Sequence, residues 1–441
     1  MFYRNANLAA HLSAVLFAMS QIAAGATLCV NSHPTPTCPY STIGAAVAAA
    51  KTYDVIQVSQ GTYHEDVVIG IALSLIGAPY GNTVIDATGE SNGIYVDGYD
   101  NPGLAGVVVS GFTVQNANFE GILLTNVSDA TITSNQVLHN DLSVDINTSM
   151  CPGQPAFETL EGDDCGEGIH LLGVDHSIIS NNVIENNSGG ILLSDDTGAT
   201  HDNLIMGNIV QNNPFDCGIT LASHPLAGSN FTAAAGVYHN TINGNTSQHN
   251  GYQVPGAGAG VGIFAPFPFS KNYGNVVVNN VLTNNGIPGV AMHAHAPGAT
   301  IADNIIAGNQ ISGNGADTED TATPGPTGIN VSGGDTGTVS NTGIPVAVIT
   351  GTVIAGNVIQ QETDGVATKT SAWVGAKLNS FINVKTGVDN IDPVGGSVDA
   401  RLNWWGCPGG PTSPACAGVS GINILYVPFL NTPFLNLPFP F

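Results

Sequence analysis

Basic residues are almost absent from this sequence. Its 441 residues include 7 Lys and Arg against 32 Asp and Glu, a formal net charge of −25. Proteins that grip nucleic acid do so by neutralising phosphates with Lys and Arg, so that function is close to excluded. Anionic membrane surfaces are disfavoured by the same sign argument. Charged residues of every kind make up only 9 %, far below the share of about a quarter that globular chains usually carry. The shortage does not imply disorder: 43 % of residues are hydrophobic, enough for a large core. Long apolar runs are also missing. Outside a short N-terminal stretch, no window holds the ~20 apolar residues of a membrane span, so membrane insertion is not expected.

What is present is glycine, 56 residues of it, with 25 Pro and 7 Cys. Residues 1–26 have the form of a secretory signal peptide: Arg4, an apolar run from Leu12 to Met19, and Ala24-Gly25-Ala26 as a cleavage site. The expected destination is secreted or cell-surface, where disulfides persist. Cys29/Cys38, Cys151/Cys165 and Cys407/Cys416 each enclose a short Pro-containing loop, and local pairing is the simplest connectivity. Cys217 is then the odd thiol, expected to be buried and inert.

One pattern recurs along the chain: Gly, aliphatic, variable, aliphatic, a turn, then Asn-x-aliphatic-x-x-Asn. Gly121-Ile-Leu-Leu, Gly168-Ile-His-Leu, Gly190-Ile-Leu-Leu, Gly218-Ile-Thr-Leu, Gly262-Ile-Phe-Ala, Gly289-Val-Ala-Met and Gly328-Ile-Asn-Val carry its first half. The shortest spacing, from Gly168 to Gly190, is 22 residues. Short alternating β-branched runs between Gly and Asn predict strands, and the repeat predicts a solenoid. Stacked coils ~4.8 Å apart bury together the apolar faces that no coil buries alone. Asn at the same turn of successive coils can form a hydrogen-bonded ladder and tolerate left-handed backbone. An Ala-rich helix over Ser41 to Lys51 would cap the first coil, and Asn403-Trp-Trp-Gly406 with the Pro- and Phe-rich tail would cover the last.

Thr42-Ile43 with the Ala-rich helix, Gly61-Thr-Tyr63-x-Glu65, the coil repeats and Asn403-Trp-Trp-Gly406 resemble secreted right-handed parallel β-helix proteins of the pectate-lyase-like superfamily, with its carbohydrate-binding and sugar-hydrolase repeats. The resemblance runs from residue 40 to about residue 430. It implies an all-β fold, a single-stranded right-handed parallel β-helix with an N-terminal capping helix. The expected division is a signal peptide at 1–26, a cap at 27–60, the β-helix at 61–400, and a C-terminal cap and tail at 401–441. Such folds host lyases, hydrolases, esterases, epimerases and non-catalytic members, so the reaction must come from the site.

Residues two and four after each glycine point outward. Counted from Gly262, Phe264 falls in the first of these rows, beside His170, Thr220 and Asn330; His293 falls in the second, beside Ser194. Asp196, His224 and His295 follow at the turn, with Asp196 and His224 one coil apart. Long insertions flank this face on both sides and should wall a groove, where the resemblance places the sugar chain. Asp195, Asp196 and Asp216 are the candidate acid, base or Ca²⁺ ligands, with His170, His224 and His293 assisting as catalytic groups. Phe264, Phe267, Tyr273, His295 and Asn330 are candidate substrate contacts. Glu161, Asp163 and Asp164 are candidate metal ligands, and Ca²⁺ is the ion their oxygens suit; no cofactor is otherwise called for.

Uronate lyases of the resembled family use Arg or Lys in the site. Here Lys271 is the basic residue expected near the groove, and Lys369, Lys377 and Lys385 come later. A neutral glycan therefore suits the charge better than a polyanion. The expected function is an exported, monomeric protein that binds polysaccharide in this groove; the residues leave open whether it also cleaves it, and if it does the reaction is that of a hydrolase or lyase. The alternative is a non-catalytic structural or adhesive β-helix at the cell surface.

Overall fold

The computed structural model describes residues 25–144, 155, 157, 166–229, 233–253, 258–294, 296–318, 323–333, 347–391 and 395–433. Short strands follow one another around a coil, and each pairs in parallel with its counterpart in the neighbouring coils. The result is a parallel β-helix with three long sheets of 14, 12 and 11 strands and a fourth sheet of 5 along one corner. The 12-stranded sheet, from Val67–Ile69 to Gly418–Gly421, carries the glycine-led strands and is called the site sheet below.

The core follows from the two-residue period. Ile122, Leu124, Ile169, Leu171, Ile219 and Leu221 alternate along their strands and are wholly buried inside the coil. Burying such a side chain contributes roughly 1.5–3 kcal/mol, and stacking repeats it in every coil.

Asparagine ladders fix the corners. One runs from Asn135 through Asn208, Asn245 and Asn309 to Asn403; each Asn side-chain oxygen accepts the backbone N–H of the Asn one coil back. A second runs from Asn140 through Asn213 and Asn285 to Asn314, and there ends on Glu362. A third joins Asn203, Asn240, Asn275 and Asn304. The left-handed residue is the one just before the ladder Asn, as at Asn181, Asn186 and Gly207. The two tasks expected of one asparagine are thus divided between neighbours: one bends the chain, the next bonds along the stack.

The capping helix is shorter than the Ser41 to Lys51 expected, spanning Ile43–Ala49. Thr42 caps it by accepting from the Ala45 N–H, and Glu65 of the first coils accepts from the N–H groups of Ile43 and Gly44. Acceptor oxygens therefore fix where the helix begins. At the other end Trp405 is wholly buried against Phe381, with ring centroids 5.2 Å apart. Cys29 pairs with Cys38 and Cys407 with Cys416, while Cys217 is free and buried. Cys151 and Cys165 lie outside the described residues, as do positions 1–24 of the expected signal peptide. Among the described residues no helix is long and apolar enough to cross a membrane.

One register differs from the sequence expectation. The strand pairing sets Thr220 against Gly262 and Ala222 against Phe264, so Gly260, not Gly262, is the repeat glycine of this coil. A side chain at position 260 would crowd the backbone of Gly289 and the Asn285 side chain at the corner. Phe264 therefore moves to the outer row that holds Ser194 and His293.

Candidate functional site

Three histidines face out of the coil on the site sheet, and each meets a carboxylate. His170 sits on Glu167–Leu172, and its Nδ1 lies 2.8 Å from Glu120 Oε1, one coil earlier. Its Nε2 lies 2.8 Å from Ser194 Oγ, one coil later. His224 follows Ile219–Ala222; its Nδ1 lies 3.0 Å from Asp196 Oδ2 and 3.2 Å from Asp196 Oδ1. His293 sits on Val290–Ala294; its Nε2 lies 3.1 Å from Asp317 Oδ2 and 3.0 Å from Asn330 Nδ2. All three imidazoles and their carboxylates are at least 95 % buried. Four strand steps separate the His170 strand from the His293 strand, about 19 Å at the usual spacing.

The expected pairing of Asp196 with His224 is present, and closer than backbone spacing alone implies. Their neighbour Asp195 points elsewhere. Its carboxylate accepts from the His224 N–H at 2.6 Å, from Ser223 Oγ at 3.2 Å and from the Gly236 N–H. Burial lifts its pKa to about 7, even though the Gly236 and His224 N–H groups favour the charged form.

The other expected residues divide between this face and places elsewhere. Phe267 meets the His224 ring edge-on, centroids 5.9 Å apart, and Phe264 tilts against His293 at 5.6 Å. Asn330 bridges His293 and Asp317. Asp216 precedes the strand Ile219–Ala222, beside the Cys217 thiol; its charge adds to the burial that pushes that thiol up. Tyr273 lies round the corner on the fourth sheet, stacked on Tyr238 at 4.8 Å, where Tyr238 in turn stacks on His201 at 4.7 Å. Lys271 is on that fourth sheet too. It is Lys369 that lies on the site sheet, next to Ser332, because the outer row of His293 continues into the strand Asp364–Lys369. His295, Glu161, Asp163 and Asp164 lie outside the described residues. Among the described residues no group of three or more His, Cys, Asp or Glu is placed to hold a metal ion.

Glu120 and Asp317 are the site residues that sequence reasoning did not single out. Glu120 had a signal: Asn92, Glu120 and Glu167 each directly precede the glycine of their coil, so a polar residue recurs at one corner. Asp317 sits in an insertion and breaks the repeat, so no spacing gives its place.

A family description, right handed beta helix region, matches residues 80–265. The match spans less than half of the chain, and the fold of the described residues is the one that the description names, a right-handed β-helix. No curated protein matches it. Among solved structures, the catalytic unit of a thermostable GH87 alpha-1,3-glucanase from Streptomyces thermodiastaticus aligns with 15 % identity and a TM-score of 0.55, covering 95 % of this chain and 73 % of that one. DFA-IIIase from Arthrobacter chlorophenolicus, solved without its lid in complex with GF2, aligns with 13 % identity and a TM-score of 0.54, covering 90 % and 98 %. The mannuronan C-5 epimerase AlgE4 A-module of Azotobacter vinelandii aligns with 17 % identity and a TM-score of 0.50, covering 81 % and 93 %. At these identities the comparison shows a shared fold, the parallel β-helix.

Proposed function

We propose that this β-helix is an exported protein that binds a neutral polysaccharide along the site sheet and cleaves it by acid–base chemistry at Asp196 and His224. The observation that carries the reading is the Asp196–His224 pair. A carboxylate on Nδ1 favours the tautomer with its proton there and makes Nε2 the basic nitrogen. Asp195 is a positioning residue in this reading, because its carboxylate holds the His224 backbone. Phe267 and Phe264 supply aromatic surface for sugar rings beside His224 and His293. The net charge of −25 and the single lysine within the strands of the site sheet favour a neutral chain over a polyanion. The alpha-1,3-glucanase and the mannuronan epimerase act on glycans by their own descriptions, which supports a glycan as the ligand class.

The test is a panel of neutral and acidic glycans offered to the full chain, with binding read by calorimetry and cleavage by reducing-end release, with and without chelator. Binding and cleavage of a neutral glycan are expected, with both weakened by Phe267→Ala. A chain that neither binds nor cuts any glycan would leave the non-catalytic rod as the better account.

A further inference from the structure

The two contacts of His170 have a chemistry of their own. Glu120 holds Nδ1 at 2.8 Å, and Nε2 meets the hydroxyl of Ser194 at 2.8 Å. This is the order carboxylate, imidazole, hydroxyl, the arrangement by which acyl-transfer enzymes activate a serine nucleophile. Each group comes from a different coil: Glu120 just before Ile122–Thr125, His170 from Glu167–Leu172, Ser194 from Gly189–Ser194. Parallel pairing sets the register, with Leu172 beside Ser194. The second Glu120 oxygen accepts the Glu167 N–H at 2.6 Å, which fixes the carboxylate. The Ser194 carbonyl accepts from Thr200 Oγ1 and the Gly173 N–H, which fixes the strand end that carries the hydroxyl.

We propose that Ser194, His170 and Glu120 form an acyl-transfer triad that hydrolyses ester groups carried on sugar hydroxyls. Ser194 Oγ attacks the ester carbonyl carbon while its proton passes to His170 Nε2. The carbon–oxygen bond to the sugar breaks, and the sugar oxygen leaves with the proton from His170. Water then attacks the acyl-serine, gives a proton to His170, and releases the carboxylic acid as that proton returns to Ser194. Glu120 is a positioning residue: it keeps the Nδ1 proton in place and stabilises the imidazolium. The sugar part of the substrate rests on the polysaccharide reading above; the triad does not.

The experiment uses the full chain with a fluorophosphonate probe, peptide mapping of the adduct, and hydrolysis of 4-nitrophenyl acetate. One adduct at Ser194 is expected. Hydrolysis should fall at least ~10³-fold in Ser194→Ala and His170→Gln, and ~10²–10⁴-fold in Glu120→Gln, which should still label slowly at Ser194. Mapping the adduct on the parent chain needs no variant to fold, and melting curves check those that do. Absence of an adduct at Ser194, or hydrolysis that survives Ser194→Ala, overturns the triad. A further arm offers a chemically acetylated neutral glycan. Acetate released from 4-nitrophenyl acetate but not from any glycan would leave the triad standing and count against the sugar substrate.

Discussion

Asp196 and His224 lie 28 residues apart along the chain, yet the Asp196 carboxylate holds the His224 ring at 3.0 Å across adjoining coils. That relationship exists only because the backbone winds as a stack. If the pair performs the chemistry, Asp196→Asn and His224→Gln should each lower turnover of a cleaved glycan by ~10²–10⁴-fold. Glycan affinity should change by much less, which calorimetry on both variants would establish.

The ladders predict where stability resides. Asn245 is wholly buried; it accepts from the backbone and side chain of Asn208 and donates to Ile205 O and Asn280 Oδ1. Asn245→Ala leaves those partners unsatisfied inside the coil, and should cost roughly 3–5 kcal/mol in denaturant unfolding. The partly exposed Asn243 makes a suitable control, with Asn243→Ala expected to cost under about 1 kcal/mol.

Glu362 makes stability depend on pH. Its Oε1 accepts from the Asn314 N–H and side-chain amide at 3.0 and 3.1 Å, while its buried Oε2 has no hydrogen-bond partner. Burial raises its pKa to about 7, and the Asn314 bonds offset only part of that. The folded state therefore holds this proton more tightly than the unfolded chain. Its contribution is intact below the ordinary value of 4.5 and is lost as pH rises through about 7. Glu362→Gln should match the parent near pH ~4 and exceed it by roughly 1–3 kcal/mol above pH ~8, as thermal melts across that range would reveal.

Cys217 should be silent in the folded protein. Burial pushes its thiol well up, with Asp216 beside it acting in the same direction. Iodoacetamide at pH ~8 should leave the Cys217 peptide unmodified in the native state and alkylate it fully in guanidinium.

The sequence made the coil legible because glycine, aliphatic alternation and asparagine each mark a fixed place in it. Gly121, Gly168, Gly190 and Gly218 gave the register directly. Gly260-Val-Gly-Ile offers two glycines in the right context, and only the packing against Gly289 and Asn285 decides between them. The Asp196–His224 pair was readable because both residues hold the same offset from their glycines. Glu120 and Asp317 were harder: each reaches a histidine from a different offset or from an insertion, and lateral reach is a property of side chains in space. Tyr273 was misplaced for a related reason. The turn after the glycine-led strand opens into the fourth sheet, so an aromatic in that insertion need not face the groove.

The most direct measurement is a crystal structure of Asp196→Asn soaked with an oligosaccharide of a glycan that the parent protein binds. The account predicts sugar density crossing the outer face of the site sheet, against His224 and between His170 and His293. Sugar seated on any other sheet, or no sugar on this face at saturating concentration, would contradict it.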